Sequence, residues 1–253
     1  MLLAIDVGNT NTVFSIHDGS SFLSEWRCAT EHARTADQYY VWLRNLMQLN
    51  DIKNEIDRVV ISSVVPQVVF NLRVLSDKYF DCRPIVVGKP ETKLGVPVRV
   101  DEGTLVGADR LVNTVGAFDR YGGDLIVVDF GTATTFDVVG SEGQYLGGII
   151  APGINLSLKA LHDMTSKLPK IEVSSQKNVI GKNTKEAMNS GVYFGYISLI
   201  EGLIERIEKE LGVKTTKILT GGLANLFKDE LKIEHCRENL TLEGLRLVYQ
   251  DLG

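Results

Sequence analysis

Short apolar runs broken by polar turns fill the first third of the chain. Leu2 to Ile5 and Thr12 to Ile16 have strand length and flank the polar segment Asp6 to Asn11. Asp18-Gly19 marks a second turn, and Phe22 to Arg27 follows as a third strand. Tyr39, Leu43, Leu46 and Met47 fall near helical spacing and predict a helix from Thr35 to about Leu49. Val59-Val60-Ile61 is a continuous apolar run of the kind buried in a central sheet. A helix is expected over 68–79 and a strand over 84–87. In the second half, Leu111, Val115 and Phe118 repeat at i, i+4 and i+7, predicting a helix from near Ala108 to the stop Tyr121-Gly122-Gly123. Leu125 to Val128 reads as a buried strand that meets the turn Asp129 to Thr135 and continues through Phe136 to Val139. Gly140 to Gly143 then predicts a hairpin into a strand over 145–150.

A long helix is predicted from Thr184 to Leu211, with Asn183 and Glu186 as a capping pair and Gly212 as its stop. Met188, Val192, Leu199, Leu203 and Ile207 mark its expected buried face. Gly191 and Gly195 share one side, where either another helix of the same chain or a second copy could come close. Lys217 to Leu219 is a last buried strand, and Leu242 to Leu252 a closing helix.

The pattern repeats. Leu3 to Thr12 can be laid over Ile126 to Thr135, 123 residues apart, and both copies read apolar strand, Asp, apolar residue, Gly, polar turn, second strand. Two such matches half a chain apart predict a duplicated α/β lobe with a nucleotide cleft between the copies. The expected division is 1–105 and 106–253.

Each turn carries the chemistry of a phosphate site. Gly8 and Gly131 let backbone approach a ligand, successive N–H groups can hold an anion, and Thr and Asn side chains add donors. Asp6 and Asp129 supply hard oxygen. A carboxylate about 4 Å from a bare phosphate is repelled by roughly 4 kcal/mol at an effective dielectric near 20, so a cation is expected between them. The alternative is that each Asp only caps its own turn. Thr220-Gly221-Gly222-Leu223-Ala224, between a strand and a helix, offers a flat backbone for adenine or ribose, or is an ordinary strand-to-helix turn. Gly107-Ala108-Asp109-Arg110 also has two readings. Either Asp109 caps its helix and pairs with Arg110 at the surface, or it acts as general base for a hydroxyl while Arg110 holds an anionic group.

Composition narrows the function. The 253 residues are 44% hydrophobic and 23% charged, which suits a globular protein with a core large enough to need no staples. A net charge of -5 disfavours broad binding to nucleic acid or an anionic membrane. Cys28, Cys82 and Cys236 are odd in number and far apart, and His17, His32, His162 and His235 are scattered, so neither a disulfide framework nor a zinc pattern emerges. With no basic leader and no run of about 20 apolar residues, a cytoplasmic location is expected.

Taken together, these motifs resemble the signatures of type III pantothenate kinases. The resemblance rests on Asp6-Val7-Gly8-Asn9-Thr10-Asn11, Gly107-Ala108-Asp109-Arg110, Asp129 to Thr135, Gly147 to Gly153, Gly181-Lys182-Asn183-Thr184 and Thr220-Gly221-Gly222, and it spans essentially the whole chain. It implies the fold of the acetate and sugar kinase, Hsp70 and actin superfamily: duplicated ribonuclease-H-like, actin-like ATPase lobes, in a homodimer. It implies ATP-dependent phosphorylation of pantothenate, the first step toward coenzyme A, with Mg²⁺ or another divalent cation and with K⁺ or NH₄⁺. Position by position, Asp6, Val7, Gly8, Asn9, Thr10, Asn11, Thr12 and Val13 resemble the ATP phosphate site, with Asp6 near the divalent cation. Asp129 resembles the monovalent-cation ligand and Thr132 an ATP contact. Gly107, Ala108, Asp109 and Arg110 resemble the pantothenate site, with Asp109 as proton acceptor, and Thr184 resembles a further pantothenate contact. One position departs: many members place a tyrosine upstream of Gly-Ala-Asp-Arg, where this chain has Val100, which has no hydroxyl to donate. Two other functions fit less of the pattern: a kinase of the same superfamily for another small hydroxyl compound, and a non-catalytic accessory factor in gene regulation.

Overall fold

A computed structural model describes residues 1–89, 92, 94–233 and 235–252. The chain forms two compact units. The first comprises Met1–Val96, Asp101–Gly116 and Leu240–Gly253; the second comprises Pro97–Val100 and Ala117–Asn239. These differ from a simple division at 105 and 106. The start of the Ala108–Tyr121 helix and the closing helix both count with the first unit, because their apolar faces are buried against its sheet.

The first unit contains β1 (Leu2–Val7), β2 (Asn11–His17), β3 (Phe22–Ala29), β4 (Arg58–Ser63) and β5 (Ile85–Val86), in the order β3-β2-β1-β4-β5. The β1–β2 and β2–β3 pairs are antiparallel, whereas β1–β4 and β4–β5 are parallel. A parallel pair needs a long crossover, supplied by α1 (Ala36–Leu49) between β3 and β4 and by α2 (Pro66–Phe80) between β4 and β5. Strand periodicity explains the unbroken apolar run of β1. Leu3, Ile5 and Val7 face Tyr39, Leu43, Leu72 and Leu75, in one apolar cluster. Leu2 and Ala4 join a second cluster with Ala108, Val112 and Val115 of α3 (Ala108–Tyr121) and with Leu242, Leu245 and Val248 of α7 (Leu240–Leu252).

The second unit repeats the plan. Its strands β6 (Leu125–Phe130), β7 (Ala133–Val139), β8 (Tyr145–Pro152), β9 (Thr216–Gly221) and β10 (His235–Cys236) run in the order β10-β9-β6-β7-β8, with matching strand directions. The helices are α4 (Ile154–Asp163), α5 (Thr184–Leu211) and α6 (Ala224–Leu231). Ile126, Val128 and Phe130 pack with Ile154, Leu158, Val192, Tyr193 and Phe227, and Phe130 stacks on Phe227 with ring centroids 5.2 Å apart. Of these helices, α4 was not expected from the sequence. Its apolar positions Ile154 and Leu158 make only one buried helical pair, too short a pattern to stand out.

The repeat is one residue out of phase beyond its glycines. Val7 pairs with Thr12 across the first hairpin, but Phe130 pairs with Thr134 across the second. The buried counterpart of Thr12 is therefore Thr134, not Thr135, and the second turn is shorter. The long helix also differs from expectation. Tyr193, Tyr196, Ile197 and Ile200 join Met188, Val192 and Ile207 on the buried side, whereas Leu199 and Leu203 are only half-buried. Gly191 and Gly195 are exposed, and a Cβ on either would meet nothing within 4 Å. Neither glycine serves close packing within the chain.

Glu208 ties the end of α5 to β9. Its buried carboxylate accepts hydrogen bonds from Lys214 Nζ at 2.7 Å and Thr215 N at 2.9 Å, and it also pairs with Lys217. Burial works to raise the carboxyl, but Lys214, Lys217 and the Thr215 N–H outweigh it and hold the group at about 2. A carboxyl held below its unfolded value stabilises the fold above pH 4.5, and that contribution is lost as pH falls from 4.5 toward 2. Because Lys214 is mostly exposed, Glu208→Gln should cost only about 1–2 kcal/mol at neutral pH. Urea titrations from pH 7 to pH 3 should show a smaller loss of stability in the variant than in the parent chain.

Candidate active site

In the first unit, the Asp6 turn lies between the antiparallel partners β1 and β2. Gly8 N donates to Asn11 O at 3.0 Å, which closes the turn, and Asn9, Thr10 and Asn11 are exposed. Val7 and Thr12 are buried and Val13 half-buried, so these residues frame the turn. Thr30, just past β3, braces it. Thr30 Oγ1 donates to Gly8 O at 2.7 Å, and Thr30 N donates to Thr10 O at 3.0 Å. Thr12 Oγ1 lies 3.0 Å from Thr30 Oγ1. Because the single Thr30 hydroxyl proton is given to the Gly8 carbonyl, Thr12 is the donor in that pair. No pattern in the sequence marked Thr30, because its partners are mostly backbone atoms. Replacing it with valine removes the two hydroxyl contacts and keeps the backbone one, and should cost about 1–2 kcal/mol of stability, as read from urea titration.

Asp109 opens α3 in the same unit. Gly107 O accepts from Leu111 N at 3.2 Å, and Asp109 Oδ1 accepts from Arg110 N at 2.8 Å. A Cβ at Gly107 would stand 2.6 Å from Asp109 Oδ1, so glycine leaves the space that the carboxylate occupies. Ala108, next to it, is anchored in the cluster that contains Leu2 and Ala4 of β1. Burial pushes the Asp109 carboxyl up, against the opposing pull of the Arg110 N–H and guanidinium. A carboxylate whose pKa is raised by desolvation is a better proton acceptor than an ordinary surface aspartate.

In the second unit, three loop segments converge on the Asp129 turn. Gly131 N donates to Ala133 O at 3.1 Å and closes it. Gly221, at the end of β9, has φ +89°, and a Cβ there would overlap Asp129 Oδ1. Gly153, after β8, lies so close to the turn that a Cβ would overlap Thr132 O and come within 2.8 Å of Gly131 O. Gly221 thus leaves room for the carboxylate and Gly153 for two peptide carbonyls of the same turn, hard oxygens of the kind that suit a hard cation. The sequence leaves Gly221 as either a nucleotide contact or an ordinary turn glycine; its placement leaves the space in which the Asp129 carboxylate sits. At the N-terminus of α5, Asn183 Oδ1 accepts from Glu186 N at 3.0 Å while Glu186 Oε2 accepts from Lys182 N at 2.8 Å, so Thr184 begins a firmly capped helix.

The family's sequence model for type III pantothenate kinase matches residues 2–206. A Ruegeria sp. (strain TM1040) protein named type III pantothenate kinase is 58% identical over 257 residues, covering 100% of this chain and 99% of its own. One of the same name from Roseobacter denitrificans is 57% identical over 251 residues, covering 99% and 98%.

The chain belongs to the type III pantothenate kinase family.

It is accordingly a kinase that phosphorylates pantothenate in coenzyme A biosynthesis, with ATP as donor and a divalent cation required. The solved component A of (R)-2-hydroxyglutaryl-CoA dehydratase from Acidaminococcus fermentans shares the fold at a TM-score of 0.53 and 11% identity, covering 100% of this chain and 99% of its own. The family's departure at Val100 has a structural setting. Pro97 O accepts from Tyr145 N at 2.9 Å and Arg99 N donates to Tyr145 O at 2.8 Å, so this segment is pinned to the start of β8. Tyr145 is buried and directs its hydroxyl to Asp137, and so does not replace the missing tyrosine. Among the described residues, no helix is long and apolar enough to cross a membrane.

Proposed function

We propose that this kinase transfers the γ-phosphoryl group of ATP in line to the primary hydroxyl of pantothenate, with Asp109 as the general base. The placement of Asp109 carries the proposal: a half-buried carboxylate of raised basicity, in a niche left by Gly107, at the first turn of α3. The acceptor O–H gives its proton to Asp109, the new O–P bond forms, and the bond from the γ-phosphorus to the bridging oxygen breaks to leave ADP. Gly107, Ala108 and Arg110 hold pantothenate, with the guanidinium on its carboxylate, and Thr184 makes a further contact. Val7 to Val13 cradle the phosphates with backbone N–H groups and exposed Asn and Thr side chains, and Thr132 adds an ATP contact.

Asp6 would hold Mg²⁺, directly or through water, and Asp129 would hold K⁺ or NH₄⁺. When bound, these cations offset phosphate charge. The hard oxygens of the Asp129 turn, one carboxylate and the carbonyls of Gly131 and Thr132, support the second assignment. ADP formation should depend on pantothenate and rise when potassium replaces a bulky organic cation at constant ionic strength. Equal rates in the two salts would remove the monovalent cation from the mechanism.

The exposed glycines of α5 support a homodimer, because a Cβ on either would meet no atom within 4 Å among the described residues. Exposed Ile150, Leu156, Met164, Val179 and Ile180 of the same unit add apolar surface. Light scattering should then give twice the chain mass of 27.9 kDa. A cytoplasmic enzyme, where ATP is abundant, completes this reading.

A further inference from the structure

Residues 240–252 form a helix outside the span of the family's sequence model, and no role attaches to it through the motifs. Its contacts are specific. On one side, Leu242, Leu245 and Val248 share an apolar cluster with Leu2 and Ala4 of β1, the strand that ends in the Asp6 turn. On another side, α7 meets α3 at unusually short range. A Cβ at Gly244 would overlap Val112 O, and a Cβ at Gly116 would stand 2.9 Å from Leu240 O and 3.1 Å from Gly244 N. Such mutual glycine contact brings two helix backbones closer than side chains allow. Thr241 Oγ1 adds a hydrogen bond of 2.8 Å to Asn113 Oδ1, and Asn113 is 1% exposed.

The register of these contacts gives them a bearing on catalysis. Asp109, Val112, Asn113 and Gly116 stand at i, i+3, i+4 and i+7, so they form one stripe along α3. The stripe that α7 grips is therefore the stripe that carries Asp109 at its upper end. Ala108, one residue away, lies in the same apolar cluster as α7 and β1.

We propose that α7 is the spacer that sets the position of Asp109 relative to the strand bearing the Asp6 turn, and that Thr241 and Gly244 are positioning residues for the phosphoryl transfer. This rests on Asp109 being the base. General-base efficiency depends on reach to the acceptor proton, and a misplacement of about 1 Å can cost about 100-fold. Removing the Thr241 hydroxyl loosens the grip, whereas a methyl at Gly244 forces the helices apart.

The test is a double-mutant cycle on the full chain, with ATP affinity and melting temperature measured alongside. Thr241→Val should lower kcat about tenfold with little change in ATP affinity, and Thr241→Ser should restore it. Gly244→Ala should lose about 100-fold if it folds; if it does not, the Thr241 pair decides alone. In an Asp109→Asn background, Thr241→Val should cost less than about twofold more, because the group it positions is gone. An equal tenfold loss in both backgrounds, or unchanged kcat in Thr241→Val, overturns the spacer role. Near-normal turnover by Asp109→Asn alone would instead overturn Asp109 as base.

Discussion

Asp109→Asn should lower kcat by about 100- to 10,000-fold, the range in which general-base catalysis is usually measured, while ATP still binds. The amide keeps the shape of the carboxylate and its place beside Gly107, and loses only the capacity to accept the acceptor proton. A second readout separates this from damage to the fold. Burial raises the Asp109 carboxyl above its ordinary value of 3.8. A carboxyl raised in the folded state favours the fold at low pH and loses that advantage as pH rises from 3.8 through the folded value. At neutral pH the ionised group therefore destabilises the protein, and the asparagine variant should melt at a higher temperature than the parent. A variant that is both inactive and more stable marks a residue kept for chemistry rather than for folding. A lower melting temperature with normal turnover would contradict both halves of the argument. The acid limb of kcat/KM for pantothenate should also lie above the ordinary aspartate range.

Gly221→Ala should reduce kcat about 100-fold or more and abolish the response to potassium. Two effects combine. The backbone at φ +89° suits glycine, and a side chain there costs about 1–2 kcal/mol. The added methyl would also overlap Asp129 Oδ1 and drive that carboxylate out of its seat. Gly222→Ala is the control, because a Cβ at the next residue meets nothing within 4 Å. Rates at varied potassium should leave the Gly222 variant near the parent and the Gly221 variant flat. If both variants keep the parent's potassium response, Asp129 does not depend on Gly221.

Local patterning predicted most elements because each is held by its own periodicity. β1 and β6 are buried on both faces and read as unbroken apolar runs. The cap at Asn183 and the stop at Gly212, with φ +72°, appeared where side-chain chemistry placed them. Long-range partnerships were not legible. Nothing in Leu240 to Leu252 says that this helix covers the first sheet rather than the second, because an apolar stripe records burial and not the surface that buries it. The face of α5 was misjudged for a related reason: Tyr193 and Tyr196 carry much of the buried contact, and an aliphatic pattern overlooks them. At the site, motif residues were visible as such, but the residues that shape them were not. Thr30 acts largely through backbone carbonyls, and Gly153 acts by leaving space.

The interrupted course of the first unit has a consequence for how the protein is made. Its central strand emerges from the ribosome long before the closing helix that, with α3, covers Leu2, Ala4 and Val60. At about 5–20 residues per second, that face waits many seconds for its cover. The second unit, interrupted only by the short outlying segment Pro97–Val100, has all its strands before the final helix appears. The unit that begins earlier is thus completed after the other, and a nascent chain stalled before Leu240 would present part of an apolar sheet face to chaperones.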